Sequence, residues 1–104
     1  MKGDTMDDKI AKDIYNLDIA IAEFLVPRLT AFKECEDSVP KIDRIKYKET
    51  GEQTELSRET WMNILQEMIN GFSEKTTKQV HDIDTAKVDR ALELFAAYYC
   101  DLWI

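Results

Sequence analysis

The sequence predicts an all-α fold, a small three-helix bundle with a long connector between its first two helices. Two observations predict this fold. Apolar side chains recur at helical spacing in three stretches of the chain, and polar connectors separate those stretches. A chain of 104 residues is long enough for one domain with a modest core, so we expect residues 1–104 to form a single helical domain.

The first predicted helix is apolar on two sides. It is expected to begin after Thr5, which can cap it, and to run to about Cys35 with a kink or tightening at Pro27. One arc of this helix carries Ile10, Ile14, Leu17, Ile21, Phe24, Leu25 and Phe32, and a second stripe opposite carries Tyr15, Ile19, Ala22 and Val26. A helix that is apolar nearly all round is buried on both faces. The second face is therefore predicted to meet another chain in a homo-oligomer.

Arg28 lies near the centre of the first arc, where a side chain should face the core. A guanidinium cannot lose its charge there, so it needs an anion, a set of acceptors or water. Pro27 beside it removes a backbone donor and frees the carbonyl of Glu23. Sites that break local rules in this way are often functional. The partner of Arg28 is predicted to be either a ligand phosphate or a structural carboxylate, such as Asp18 of another chain or Asp101.

The connector over residues 36–56 is long and holds a basic cluster at residues 41–48. It contains Pro40 and Gly51, and its charged cluster of Lys41, Asp43, Arg44, Lys46 and Lys48 has four positive charges against one negative. Two interpretations stay open for a connector of this length. It is a solvated loop anchored by Ile42, Ile45 and Tyr47, or a basic flap over an anionic ligand. A short strand pair is also compatible with the sequence.

The remaining two helices have clear start signals. Ser57 is expected to cap the second helix, with Leu56 and Trp61 spaced for a hydrophobic staple, and Gly71 suggests loosening near its end. Residues 73–84 are interpreted as a second connector. The third helix is predicted to start at Asp84 or Thr85 and to run to the C-terminus. The aromatic residues of these two helices are expected to be mostly core, although buried Tyr and Trp need partners for their polar tips: Trp61, Phe95, Tyr98, Tyr99 and Trp103.

Composition excludes several classes of function. A net charge of −7 argues against a general grip on the nucleic-acid backbone, but it permits docking on a basic partner or imitation of DNA. The N-terminus is polar, so the sequence predicts no secretory signal. The longest apolar run is too short to span a membrane. Both expectations favour the cytoplasm. Cys35 and Cys100 are expected to be buried or half-buried thiols, and His81 is expected to be a solvated side chain.

We expect no metal, no cofactor and no enzyme activity. The sequence has no nucleophile–base pair, no glycine-rich phosphate loop and no metal-ligand spacing.

Several ordered motifs resemble a family of small, mostly uncharacterised tailed-phage proteins. They cover most of the chain except the two connectors: Leu17-Asp18, Ile21-Ala22-Glu23-Phe24-Leu25, Pro27-Arg28-Leu29, Phe32-Lys33-Glu34, Glu59-Thr60-Trp61, Ile64-Leu65, Met68-Ile69, Phe72, Ala91-Leu92-Glu93-Leu94-Phe95, Tyr98-Tyr99 and Leu102-Trp103. The chain departs from the family pattern in its longer, more basic connector and in Ala91, where the family has a glycine. The resemblance implies a phage-encoded accessory protein made inside an infected bacterium, and by analogy an anti-defence sponge that sequesters nucleotide signals of host immunity.

Two functions follow as hypotheses. The first is a non-enzymatic protein that sequesters a small anionic, nucleotide-type signal of host antiviral immunity. Its predicted ligand-binding residues are Arg28 for phosphate, with Lys33 or a connector lysine adding charge, and Trp61, Tyr98, Tyr99 or Trp103 for stacking on a base. The alternative is an acidic inhibitor that binds a host defence protein or a nucleic-acid-binding protein.

Overall fold

A computed structural model of the protein describes residues 7–35 and 38–103, and the prediction of an all-α fold is confirmed for them. No strand occurs within those two ranges. The α-helices are α1 (Asp8–Asp13), α2 (Leu17–Cys35), α3 (Arg44–Thr50), α4 (Arg58–Thr77) and α5 (Thr85–Tyr98). Short 3₁₀ turns lie at Ile14–Asn16, Val80–Asp82 and Tyr99–Asp101.

The first two helices and the 3₁₀ turn between them form one helical arm over residues 8–35. The side chain of Asp7 caps its start by accepting a hydrogen bond of 2.7 Å from the backbone N–H of Lys9. The predicted cap, Thr5, lies outside the described residues. The tightening expected at Pro27 occurs instead at Ile14–Asn16, and α2 continues through Pro27 to the predicted end at Cys35.

Both later helices start where their caps predict. Ser57 Oγ accepts from the backbone N–H of Thr60 at 3.1 Å, and Asp84 accepts from the backbone N–H groups of Ala86 and Lys87. Their ends differ from the prediction. Helix α4 continues to Thr77, so residues 73–77 are helical rather than part of a connector, and α5 gives way to a 3₁₀ turn after Tyr98.

The long connector contains a helix of its own, which is too short to show a helical period in the sequence. Asp43 caps α3 by accepting from the backbone N–H of Lys46 at 2.9 Å, and Gly51 ends it in the left-handed conformation at a φ of 76°. Ile45 packs against the core from this helix. The basic cluster of the connector is therefore held against the core by α3. Residues 38–56 form no strand pair.

Helix α4 is the centre of the core because it packs on both α2 and α5. It carries eight of the buried residues: Trp61, Ile64, Leu65, Met68, Ile69, Gly71, Phe72 and Glu74. The interpretation of Gly71 as a point of loosening is wrong. A Cβ atom at Gly71 would lie 2.3 Å from the carbonyl oxygen of Lys87 and 2.4 Å from Cβ of Ala91, so the glycine permits close approach of α4 and α5.

The arm packs on the core through the side between its two predicted stripes, so Ala22 of the second stripe, which was predicted to meet another chain, is buried within its own chain. Ala22 and Leu29 are its buried residues, with Leu25, Val26 and Phe32 half-buried beside them. Most of the arc expected in the core is exposed, namely Ile10, Ile14, Leu17, Ile21 and Phe24, and we call these five side chains the apolar seam. The first apolar arc extends further around the helix than α4 can cover, and contact with α4 runs along the side of Ala22 and Leu29.

The molecule is elongated because the arm extends past the core. Its extents are 53 × 31 × 27 Å, and its radius of gyration of 16.2 Å exceeds the ~13 Å expected for a compact chain of this length. No helix in the described part of the chain is long and apolar enough to cross a membrane.

Candidate functional site

Arg28 points to solvent rather than to the core, which corrects the prediction. Its Nη1 donates to the carbonyl oxygen of Phe24 at 3.0 Å, and its Cζ lies 3.8 Å from the centroid of the Phe24 ring. Asp101, the carboxylate of its own chain that was predicted as its partner, pairs with Arg44 instead, and Asp18, predicted as a partner from another chain, pairs with Lys75 of its own chain. The guanidinium is thus satisfied by the Phe24 carbonyl, the face of the Phe24 ring and solvent. Its solvent-facing side is accessible to an external group.

The other predicted ligand-binding residues lie in separate places. Lys33 Nζ donates to Oε1 of Gln66 at 3.0 Å and so joins α2 to α4. Trp61 and Tyr98 are 1% and 0% exposed and pack on each other with ring centroids 5.2 Å apart, so the core covers both rings. Tyr99 and Trp103 are 63% and 70% exposed and belong to the C-terminal segment of the described chain.

A cavity of about 500 Å³ brings the basic connector and an exposed aromatic residue together. It lies between the start of the connector, α3 and the segment after α5, and we call it the Trp103 cavity. Its lining residues are Ser38, Val39, Pro40, Lys41, Arg44, Asp101 and Trp103. Two predictions made separately from the sequence, a basic flap and a stacking tryptophan, therefore concern neighbouring residues.

Arg44 is held in place within this cavity. Its Nε and Nη2 donate to the two carboxylate oxygens of Asp101 at 2.9 and 3.1 Å, a bidentate arrangement that fixes the plane of the guanidinium. The hydrogen bond to Asp101 raises the pKa of Arg44 above its usual value. The backbone N–H of Arg44 also donates to Oη of Tyr98 at 3.0 Å, and burial raises the pKa of that phenol. Three guanidinium N–H groups are not used by Asp101.

Lys41 supplies the second cation of the cavity. Its side chain is exposed, and no carboxylate within residues 7–35 and 38–103 pairs with it. With Lys41 and Arg44 positive and Asp101 negative, the lining carries a net positive charge on a chain of net charge −7. The cavity is therefore suited to a small anion with an aromatic group, which Trp103 can stack against.

A second cavity, of about 590 Å³, is less suited to anions. It lies between α3, α4 and α5, and its carboxylates, Asp43, Glu49 and Glu67, outnumber its cations, Lys46 and Arg90. Glu67 and Glu93 both bind Arg90 and raise its pKa, so two carboxylates already compensate the positive charge of this guanidinium.

The cysteines and the histidine of the described chain form no further site there. Cys35 and Cys100 are both exposed, which corrects the expectation of buried or half-buried thiols. His81 is exposed, as predicted, in the 3₁₀ turn before α5. Among the described residues, no group of three or more His, Cys, Asp or Glu side chains is placed to hold a metal ion.

The sequence identified the basic connector and Trp103, but it gave no signal for Asp101 as the group that orients Arg44. Those two residues are far apart in the chain, and only the fold brings them together. Comparison of the chain with protein-family models, curated proteins and solved structures found no match.

Proposed function

We propose that this protein is a non-enzymatic binding protein that captures a small anionic, nucleotide-type ligand in the Trp103 cavity. The observation that supports this proposal is the placement of an exposed indole beside two cations, Lys41 and Arg44, at one concave surface. The cavity volume lies within the ~300–1,000 Å³ typical of small-molecule sites.

Each part of such a ligand has a matching group in the cavity. The indole of Trp103 offers a face to a base, and stacking of this kind stabilises binding by about 1–3 kcal/mol per base. The ammonium of Lys41 and the free N–H groups of Arg44 are donors for phosphate oxygens, and such charge-assisted bonds are stronger than neutral ones.

The site is partly preorganised before the ligand binds. Asp101 and the phenol of Tyr98 hold Arg44 through its side chain and its backbone. A guanidinium that is already ordered loses less conformational entropy on binding than a free one. The resemblance to small phage proteins supports a setting in the cytoplasm of an infected bacterium, where the ligand is a nucleotide signal of host immunity.

Calorimetric titration against a panel of cyclic dinucleotides and ADP-ribose derivatives tests this function. We expect binding at micromolar concentration or tighter by one member of the panel. Trp103→Ala should weaken it by at least about tenfold, because stacking is lost. Lys41→Gln should weaken it and reduce its dependence on salt, because one phosphate contact is lost.

Two control variants separate the cavity from the other predicted residues. Tyr99→Ala removes a second exposed aromatic ring outside the lining of the cavity, and Arg28→Gln removes an exposed cation of the arm. Both variants should bind as the wild type does. Absence of binding across the panel, or binding that survives Trp103→Ala and is lost in Arg28→Gln, contradicts the assignment to the cavity.

A further inference from the structure

We infer that the apolar seam of the arm is the interface with a second copy of this chain, whose arm lies antiparallel to it. This inference is independent of ligand capture in the Trp103 cavity. The seam consists of Ile10, Ile14, Leu17, Ile21 and Phe24, and each of these side chains is 49–56% exposed.

The spacing within the seam is that of a coiled-coil interface. Its members are separated by four, three, four and three residues, and Arg28 continues the series. A repeat of about 3.5 residues keeps one stripe of a helix facing a partner helix over several turns. The buried side of the arm, at Ala22 and Leu29, already packs on α4. Within residues 7–35 and 38–103 the seam therefore has no helix to pack against, and its repeat is met by a helix of the second copy.

The seam offers enough apolar area for a specific dimer. Five large apolar side chains that are half exposed present on the order of 500 Å² per copy, so that pairing buries about 1,000 Å² in total, the lower bound for a specific interface. The contact runs along the helical arm, from α1 through the 3₁₀ turn into α2, for about 21 Å, which gives several layers of side chains.

The charges at the two ends of the arm favour a second copy and set its direction. The end with Asp7 and Asp13 is net negative, although Lys9 and Lys12 also lie there and Lys9 pairs with Asp13 at 3.7 Å, and Arg28 lies at the other end. In an antiparallel pair centred between Leu17 and Ile21, Arg28 lies opposite Ile10 of the second copy, with Asp7 and Asp13 of that copy one turn to either side. Arg28 of each copy thus lies near the aspartates of the other copy, and the two-fold symmetry of the pair produces this contact twice.

A parallel pair would have the opposite electrostatic consequence. Arg28 of one copy would lie beside Arg28 of the other, and the aspartates would face one another as well. Like charges at such positions destabilise a pairing, so the antiparallel arrangement is the one that the arm favours.

Sedimentation velocity of the full chain over a range of concentrations tests the association. We expect the wild type to form a dimer and Leu17→Glu/Ile21→Glu to weaken dimerisation by at least tenfold, because these two residues face each other at the centre of the pair. Tyr15→Glu is the matched control, since Tyr15 lies in the same arm, is 84% exposed and is outside the seam. It should dimerise as the wild type does. Because all three side chains are exposed, helix content by circular dichroism should be unchanged.

Cross-linking tests the direction in a Cys35→Ser/Cys100→Ser background. Oxidation of a mixture of Ile14→Cys and Phe24→Cys chains should give the mixed disulfide, because these positions face each other in the antiparallel pair. Ile21→Cys alone should give little disulfide, whereas a parallel pair would cross-link it efficiently. A wild type that stays monomeric, a dimer insensitive to the glutamate pair, or efficient cross-linking of Ile21→Cys alone overturns the inference. A monomer whose seam binds a different protein also overturns it, while ligand titration reports on the Trp103 cavity separately.

Discussion

Gly71 is the residue on which the close contact between α4 and α5 depends. Its place in the sequence, near the end of a helix, suggested a weak point, since glycine lowers helix stability by about 1 kcal/mol relative to alanine. The packing outweighs that local cost. Ala91 faces it, is fully buried and is also small, so the pair lets the two helix backbones approach each other.

We predict that Gly71→Ala destabilises the protein, although alanine is the better helix former. The added methyl group would overlap the backbone carbonyl of Lys87 and the side chain of Ala91, and overpacking of this kind costs typically 1–3 kcal/mol. Urea denaturation followed by circular dichroism measures the change. Ala91→Gly in the same chain should recover only part of the loss, because the contact with the backbone carbonyl remains. A Gly71→Ala chain as stable as the wild type would show that α4 and α5 are further apart than described.

At the scale of elements, Glu74 joins the end of α4 to the start of α5. It is buried, accepts a hydrogen bond of 2.9 Å from the backbone N–H of Asp84 and pairs with Lys78 at 2.9 Å. The hydrogen bond from Asp84 is the largest cause that lowers the pKa of the Glu74 carboxyl, and the bond with Lys78 lowers it further. The carboxylate therefore closes the turn over residues 78–84 as well as satisfying its own burial.

This pairing predicts a pH-dependent contribution to stability. Because the pKa of Glu74 is lower in the folded than in the unfolded chain, its contribution is complete above the usual glutamate value, about 4.3, and is lost as the pH falls through the folded pKa. Glu74→Gln should lower the melting temperature at neutral pH, and the difference from the wild type should shrink below about pH 4. Thermal melts at several pH values measure it. Glu55→Gln, at an exposed position, is the control and should change little.

The sequence predicted the starts of α4 and α5 well, because Ser57 and Asp84 act through bonds to residues two or three positions away. It failed where the outcome depends on distant residues. Both arcs of the arm are apolar, so periodicity could not show that α4 covers the side between them, at Ala22 and Leu29. Helix α3 is too short for a periodic pattern. In the candidate site, Lys41 and Trp103 carry recognisable chemistry, whereas the bond between Arg44 and Asp101 depends on the folded chain.

At the scale of the whole molecule, burial is distributed unevenly along the chain. Helix α4 carries eight buried residues, while α1 carries none and the seam remains open to solvent. Local opening is easiest where few apolar contacts are made, so the N-terminal half of the arm should open well before the core does. The part of the arm that does not pack on α4 gains stability when something covers the seam.

Hydrogen exchange at two protein concentrations should reveal this difference. In dilute protein, the amides of residues 8–24 should exchange fast and those of α4 slowly. A rise of about a hundredfold in concentration should slow exchange in the arm, because the dimer buries the seam, and should leave α4 unchanged. In Leu17→Glu/Ile21→Glu the arm should exchange fast at both concentrations. Arm exchange that is equally fast in the wild type at both concentrations would mean that no second copy covers the seam, and equally slow exchange would mean that the arm is stable on its own.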